Sequence, residues 1–163
     1  MNTLRPNEIA AEAPPATDAG LVFIGRIRMP WTDRLQCLRQ GRLDGPLCRI
    51  EVIPQWAAAL DGIGAYSWIE VLYWLHLARR DLLRQAPRSD GDVRGTFSLR
   101  SPLRPNPIAT GVVALVAVEG HVLAVRGLDC IDGTPLLDLK PDRTVFTPPA
   151  PRQPGDDQVD PDL

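Results

Sequence analysis

The sequence GVVALVAVEGHVLAVRGL, residues 111–128, carries the clearest secondary-structure signal in the chain. Two valine-rich runs, residues 111–118 and 121–128, flank the dipeptide Glu119-Gly120. β-Branched residues fit the pleated surface of a sheet, and a glycine between two such runs supplies a tight turn. The stretch therefore predicts a β-hairpin.

Further strands are predicted on both sides of this hairpin, because β-branched and aromatic residues are dense there. These strands cover residues 21–28, 48–53, 66–76 and 136–140, the last of them after a turn at Asp132-Gly133. Residues 96–99 form one more short element before a long proline-rich loop.

Little helix is predicted between the strands. Residues 55–60 follow Pro54 and stop at Asp61-Gly62, which is typical of a short helix, and the run LARRDLLRQ at residues 77–85 fits another. Many short strands with tight turns and little helix are typical of a closed or nearly closed barrel. We therefore predict a mainly β protein, built as a small single-sheet β-barrel with a few short helices.

The two ends of the 163-residue chain differ from its middle. Residues 1–20 are rich in alanine, proline and acidic residues, and residues 148–163 are rich in proline and aspartate. Such segments bury too little apolar surface to fold, so we predict that both termini are disordered. Residues 21–147 then form one barrel domain, whose 16 basic and 13 acidic residues permit a nucleic-acid partner without requiring one.

Several functional classes are disfavoured. The longest apolar run, residues 108–118, is about half of a membrane span, and the N-terminus lacks the pattern of a secretory signal. Cys37, Cys48 and Cys130 are too widely spaced for a disulfide framework or a cysteine-rich zinc site, so we expect a cytoplasmic protein. With two histidines and no glycine motif for dinucleotides or phosphates, we expect neither a metal site nor a dinucleotide fold.

The proline-rich segment RSPLRPNPI, residues 100–108, is the first of two segments that carry chemical information. Its three prolines fix φ and remove three backbone donors, so the segment is predicted to be a stiff loop. A stiff loop holds Arg100, Arg104 and Asn106 in set directions, and guanidinium groups suit carboxylates and phosphates. The alternative is a rigid surface connection whose arginines form structural ion pairs.

The second segment, GLDCIDGTPLLDLKP at residues 127–141, contains recurring acidic residues. Asp132 is followed by a glycine, and this pair is typical of a tight turn, which is sufficient to account for an aspartate at this position. Asp129 and Asp138 are flanked by apolar residues, so each carboxylate needs a partner, either an internal cation or the amine or hydroxyls of a ligand. Lys140, the single lysine of the chain, is a candidate for the internal partner.

Taken together, these two segments resemble motifs of the TsaA-like, or TrmO, family. Residues 100–108 resemble the pattern R-S-P-x-R-P-N-P-I, and residues 127–141 resemble G-x-D-x-x-D-G-T-P-x-L-D-I-K-P. Three shorter segments, at residues 24–30, 39–41 and 66–76, resemble further motifs of the family in the same order. The resemblance extends over residues 21–142. The chain resembles the short form of the family, which has no C-terminal domain.

Two positions depart from the family pattern in ways that bear on chemistry. Trp68 stands where the family has a histidine, and Asp142 stands where it has a tyrosine after the lysine–proline pair. A catalytic role for that histidine or tyrosine therefore does not carry over to this chain.

The resemblance implies both a fold and an activity. Members of the family are S-adenosylmethionine-dependent tRNA methyltransferases built on a small β-barrel. They methylate N6 of threonylcarbamoyladenosine beside the anticodon, at position 37. The resemblance also implies a homodimer whose cofactor cleft lies near the subunit boundary. It further implies that tRNA is a partner and that the protein does not bind a membrane.

Residue roles follow from the resemblance by position. The expected cofactor-binding residues are Arg39, Gln40, Gly41, His76, Arg100, Thr110, Arg126, Gly127, Leu128 and Asp129. Among them, Arg100 is expected to recognise charge and Asp129 a hydroxyl or an amine. The candidates for a catalytic proton acceptor are Asp132, His76 and Asp142, and those for RNA contacts are Arg104, Asn106 and Lys140.

Two other functions stay open at this point. The first keeps S-adenosylmethionine as cofactor but methylates another RNA or a small molecule, since Trp68 and Asp142 alter positions that could touch the acceptor. The second is a non-catalytic dimeric binding module that uses the barrel as a scaffold.

Overall fold

The computed structural model describes residues 4–11, 19–38, 40–86 and 92–143. In these ranges the strands are β1 (Ile9–Ala10), β2 (Gly25–Arg28), β3 (Cys48–Val52), β4 (Trp68–Trp74), β5 (Leu82–Gln85), β6 (Arg94–Gly95), β7 (Ile108–Glu119), β8 (Val122–Arg126) and β9 (Thr134–Pro141). Short 3₁₀ helices cover Pro54–Leu60, Ile63–Ala65 and Thr96–Ser98. No helix in this part of the chain is long and apolar enough to span a membrane.

Six strands close a barrel in the order β2-β3-β8-β7-β4-β9, and each strand is antiparallel to its neighbours. The predicted β-barrel is therefore confirmed. The predicted hairpin is confirmed as β7 and β8, which meet at Gly120, where a φ of 60° suits glycine. Strand β7 begins at Ile108, three residues before the predicted start.

The hydrophobic core fills the interior of the barrel. Along β2 and β3, buried residues alternate with exposed or half-buried ones, as expected of strands with one face toward a core. Ile27 and Ile50 lie opposite each other on these strands and are fully buried. Val113 on β7 and Leu123 on β8 are also fully buried and belong to the same cluster.

A separate three-stranded sheet, in the order β1-β5-β6, corrects two predictions. The run 77–85, predicted as a helix, contains strand β5, because pairing with β1 and β6 overrides its local helix propensity. The prediction of a disordered arm over residues 1–20 is wrong for β1, where the amide of Ala11 also donates to the carbonyl of Asp81 at 2.7 Å. Residues 1–3 and 12–18 of that arm, and the tail 148–163, lie outside the described residues.

Candidate functional site

A cavity of about 860 Å³ opens at the end of the barrel where β4 and β8 finish and β7 and β9 begin. Its lining residues come from four parts of the chain and lie within residues 32–38, 73–78, 97–110 and 129–134. Arg100 from the proline-rich loop and Asp129 from the acidic segment both line it. The fold therefore brings together the two segments that the sequence singled out, although 28 residues separate Arg100 from Asp129 along the chain.

Tyr73 on β4 is the hydrogen-bond partner of Asp129. The Tyr73 hydroxyl donates to Oδ1 of Asp129 at 2.6 Å, and the tyrosine is only 3 % exposed. Burial and the neighbouring carboxylate raise the pKa of Tyr73 well above its usual value, so its hydroxyl stays protonated as a donor. A carboxylate accepts several hydrogen bonds, so Asp129 keeps acceptor capacity for a ligand in the cavity.

The cysteines of the cavity wall are protonated thiols rather than nucleophiles. Burial, followed by the charge of Asp129, raises the pKa of Cys37 to about 11. Burial also raises the pKa of Cys130, which is 2 % exposed. The Cys37 thiol donates to the backbone carbonyl of Asp129 at 2.8 Å, and this contact helps to fix the segment that carries the carboxylate.

The proline-rich loop holds its own arginines in place. Arg104 donates from Nη1 to the carbonyls of Leu99 and Ser101, at 3.3 and 3.4 Å. Arg100 donates from Nη2 to the carbonyl of Thr110 at 3.3 Å. Both arginines line the cavity, and a guanidinium has five N–H donors, so donors remain for an anionic ligand.

Side chains from the segment before the loop fix it from outside. Arg80 donates to the carbonyl of Pro105 at 2.6 Å, and its guanidinium lies over the Trp74 ring, 5.4 Å from the centroid. The buried amide of Gln85 donates to the carbonyl of Leu103 and to the Thr96 hydroxyl. These bonds occupy acceptors that the prolines leave without nearby backbone donors.

Three more of the predicted residues lie at or near this cavity. His76, just after β4, and Thr110 on β7 line the cavity, as does Arg104. The Thr110 hydroxyl donates to Oε1 of Glu70 at 2.7 Å. Asn106 does not line the cavity; its carbonyl oxygen Oδ1 accepts from Arg80 at 3.5 Å.

Two predicted proton acceptors lie elsewhere. Asp132 accepts from the backbone amide of Met29 at 3.0 Å and lies 3.7 Å from the Arg28 guanidinium, so it fixes the end of β2 and does not line the cavity. The amide of Asp142 donates to the carbonyl of Trp68, at the start of β4, whereas His76 follows the other end of this strand. Seven residues of strand are about 20 Å long, so Asp142 is remote from the cavity.

The expectation that Lys140 is an internal partner is confirmed for Asp138 and wrong for Asp129. The Lys140 ammonium bonds to Asp138, and Lys140 is opposite Glu70 in the register of β9 and β4. Lys140 therefore lies on the outer surface, away from the cavity.

Four further predicted cofactor residues, Gly41, Arg126, Gly127 and Leu128, pack or bond behind the cavity without lining it. A Cβ on Gly41 would lie 1.8 Å from the carbonyl oxygen of Gly127, so the two backbones pack in direct contact, and Gly127 has a φ of 114°. Arg126 bonds to the carbonyl of Gly45, and Leu128 is buried in the core. Gln40 is exposed and Arg39 lies outside the described residues.

Sequence reasoning missed Tyr73, Gln85 and Phe97. Tyr73 carried a usable signal, because a tyrosine in a predicted buried strand needs a partner for its hydroxyl. Gln85 gives no such signal, because the run 77–85 is predicted to be a helix. Phe97 lines the cavity and is 81 % exposed, which only the tertiary structure reveals.

The sequence model of a protein family, the tRNA-methyltransferase O N-terminal domain, matches residues 26–146 of the chain. A protein of Rhizobium radiobacter described as a probable S-adenosyl-L-methionine-binding protein is 53% identical over 148 residues, 91% of this chain and 85% of its own length. The tRNA (adenine(37)-N6)-methyltransferase of Escherichia coli is 36% identical over 130 residues, 72% of this chain and 55% of its own length.

A solved structure shows the same likeness. The crystal structure of TrmO from Pseudomonas aeruginosa superimposes with a TM-score of 0.68 at 30% sequence identity. The match covers 84% of this chain and 62% of the other, so this chain spans less than two thirds of that longer protein.

Proposed function

Because the chain belongs to the family of the tRNA-methyltransferase O N-terminal domain, we propose that it is an S-adenosylmethionine-dependent tRNA methyltransferase. The proposed reaction moves a methyl group to N6 of threonylcarbamoyladenosine, at position 37 of the tRNA. The observation that carries the proposal is that Arg100 and Asp129 line one cavity.

The residues present fit the cofactor. A volume of about 860 Å³ falls within the ~300–1,000 Å³ usual for small-molecule sites. Arg100 offers donors for the cofactor's carboxylate, and the Asp129 carboxylate suits its amine or a ribose hydroxyl. Leu75 and Ile108 provide apolar wall for the adenine.

When bound, S-adenosylmethionine supplies a methyl group on a sulfonium, which is a good leaving group, so positioning provides much of the rate. Tyr73 holds the Asp129 carboxylate in one orientation. The acceptor nitrogen loses a proton as its new bond to carbon forms, and His76 takes this proton in our proposal. His76 is preferred because, of the three predicted proton acceptors, it is the one that lines the cavity.

Two further proposals rest on the family resemblance. We propose a homodimer with the cofactor cleft near the subunit boundary, which light scattering of the purified protein tests directly. We also propose a cytoplasmic location, because the proposed substrate is tRNA. A dimeric binding module without catalysis is the second candidate, because the Rhizobium radiobacter relative is described only as binding S-adenosyl-L-methionine.

The decisive experiment measures nucleosides. Mass spectrometry of anticodon-loop nucleosides, from cells with and without this chain, should show methylated threonylcarbamoyladenosine only where the chain is present. In vitro, purified protein should methylate threonylcarbamoyladenosine-containing tRNA and not the unmodified transcript. Binding of S-adenosylmethionine without any methyl transfer would instead support the binding module.

Replacing Arg100 tests the cofactor site itself. Arg100→Ala should weaken S-adenosylmethionine binding by about 10- to 100-fold in calorimetry, because a charge-assisted hydrogen bond is worth roughly 1.5–3 kcal/mol. Arg49→Ala, which removes an exposed arginine from the outer face of β3, is the matched control and should bind as the wild type does. Equal affinity in Arg100→Ala and the wild type would remove Arg100 from the site.

A further inference from the structure

An exposed aromatic side chain stands at the cavity. Phe97 is 81 % exposed, and Leu77, from the segment after β4, is 67 % exposed; both line the cavity that holds Arg100 and Asp129. A solvent-exposed phenylalanine leaves its apolar surface in water, so its position at a cavity wall suggests a ligand that covers it.

The neighbouring residue explains how this ring is held. Thr96 is 3 % exposed, and its hydroxyl donates to the carbonyl of Leu82 and accepts from the Gln85 amide. The 3₁₀ helix Thr96–Ser98 is thereby anchored through its first residue, while the next side chain is left outside. The backbone that carries Phe97 is thus fixed before any ligand arrives.

We propose that Phe97 is a stacking surface for the base that receives the methyl group, an unstacked purine of the RNA substrate. This inference rests on the proposed function and adds a residue that recognises the acceptor. A reactive base must leave its stack to enter a cavity, and aromatic side chains commonly receive such bases. Arg104 lines the same cavity and complements an RNA phosphate that accompanies the base.

Stacking makes a specific demand on the side chain at position 97. A flat aromatic ring satisfies it and a branched aliphatic side chain of similar hydrophobicity does not. The variants Phe97→Ala, Phe97→Leu and Phe97→Trp therefore separate stacking from simple apolar contact. Phe23→Ala is the matched control, because Phe23 is also exposed, at 43 %, and lines a different cavity beside the start of β2.

The experiment measures the affinity of the full chain, loaded with S-adenosylhomocysteine, for an anticodon stem–loop RNA carrying the target purine. Phe97→Ala should weaken RNA binding by about 5- to 150-fold, the usual effect of removing one aromatic–base stack. Phe97→Leu should be nearly as weak, Phe97→Trp should restore binding, and Phe23→Ala should bind normally. An RNA with an abasic site in place of the target purine should bind wild type and Phe97→Ala equally.

Three results would overturn the inference. Phe97→Leu binding as tightly as the wild type would mean that apolar contact suffices. A loss of S-adenosylmethionine affinity in Phe97→Ala as large as the loss of RNA affinity would place the ring against the cofactor. A change of mass by light scattering in Phe97→Ala would assign the ring to a contact between two copies of the chain. Failure of the proposed function itself would appear separately, as wild-type protein that neither binds S-adenosylmethionine nor methylates tRNA.

Discussion

The barrel and the proline-rich loop are held together by different kinds of interaction. In the barrel, each strand bonds to two neighbours through the backbone, and the interior is filled by apolar side chains. In the loop at residues 100–108, three prolines cannot donate, and the carbonyls of Leu103 and Pro105 are bonded by side chains of Gln85 and Arg80. Stability should therefore depend mainly on the barrel, and ligand affinity on a few side-chain donors.

Removing a core side chain should have the largest effect and should affect only stability. Ile69 is fully buried near the start of β4, away from the cavity. Ile69→Ala should lower the free energy of unfolding by about 2–5 kcal/mol, because it creates a cavity in a packed core. Urea denaturation measures this loss, and calorimetry on the folded variant should give unchanged S-adenosylmethionine affinity. A drop in affinity as large as the drop in stability would show that the two regions are not separable.

Removing the donor beneath the loop should have a smaller effect on stability and a clear effect on binding. Gln85→Met leaves the Leu103 carbonyl and the Thr96 hydroxyl without this amide, at a cost of about 1–3 kcal/mol. The loop that carries Arg100 then loses a fixed position, so S-adenosylmethionine affinity should fall severalfold. Gln55→Met, the same change at an exposed position, should alter neither quantity. Normal affinity in Gln85→Met would mean that the prolines alone hold the loop.

The smallest expected effect comes from one hydroxyl at the border between the two regions. Tyr73→Phe keeps the packing inside the barrel and removes the donor to Asp129, which should cost about 1 kcal/mol because water reaches the half-buried carboxylate. We expect S-adenosylmethionine affinity to fall by up to about tenfold, and the unfolding midpoint to fall only by the small amount that corresponds to this lost hydrogen bond. Tyr66→Phe, at an exposed tyrosine, is the control. Identical calorimetric affinities in the two variants would show that Asp129 needs no positioning.

The sequence predictions were more accurate where the interacting residues lie close together along the chain. The hairpin of β7 and β8 was predictable because a valine-rich pattern and a glycine turn lie within 18 consecutive residues. Strand β5 was not, because the local sequence favours a helix and one of its two partners, β1, lies more than 70 residues away. The N-terminal arm was mispredicted for the same reason, because its composition gives no sign of the two-residue strand β1.

Within the site, motifs identified the segments but not the role of each residue. Arg100 and Asp129 were selected from their chemistry and line one cavity. Asp132 lies in the same motif as Asp129, three residues later, yet it faces Met29 and Arg28, because it lies in the turn at Asp132-Gly133, where the chain reverses. Spacing along a turn does not determine which carboxylate faces the cavity.

The sequence by itself determined the barrel strands, the stiffness of the proline-rich loop and the family, because these depend on local pattern and on residue identity. The tertiary structure alone decided that Tyr73 bonds Asp129, that Gln85 supports the loop and that Phe97 is exposed beside the cavity. Each of these depends on backbone segments that are distant in sequence and meet only when the barrel closes.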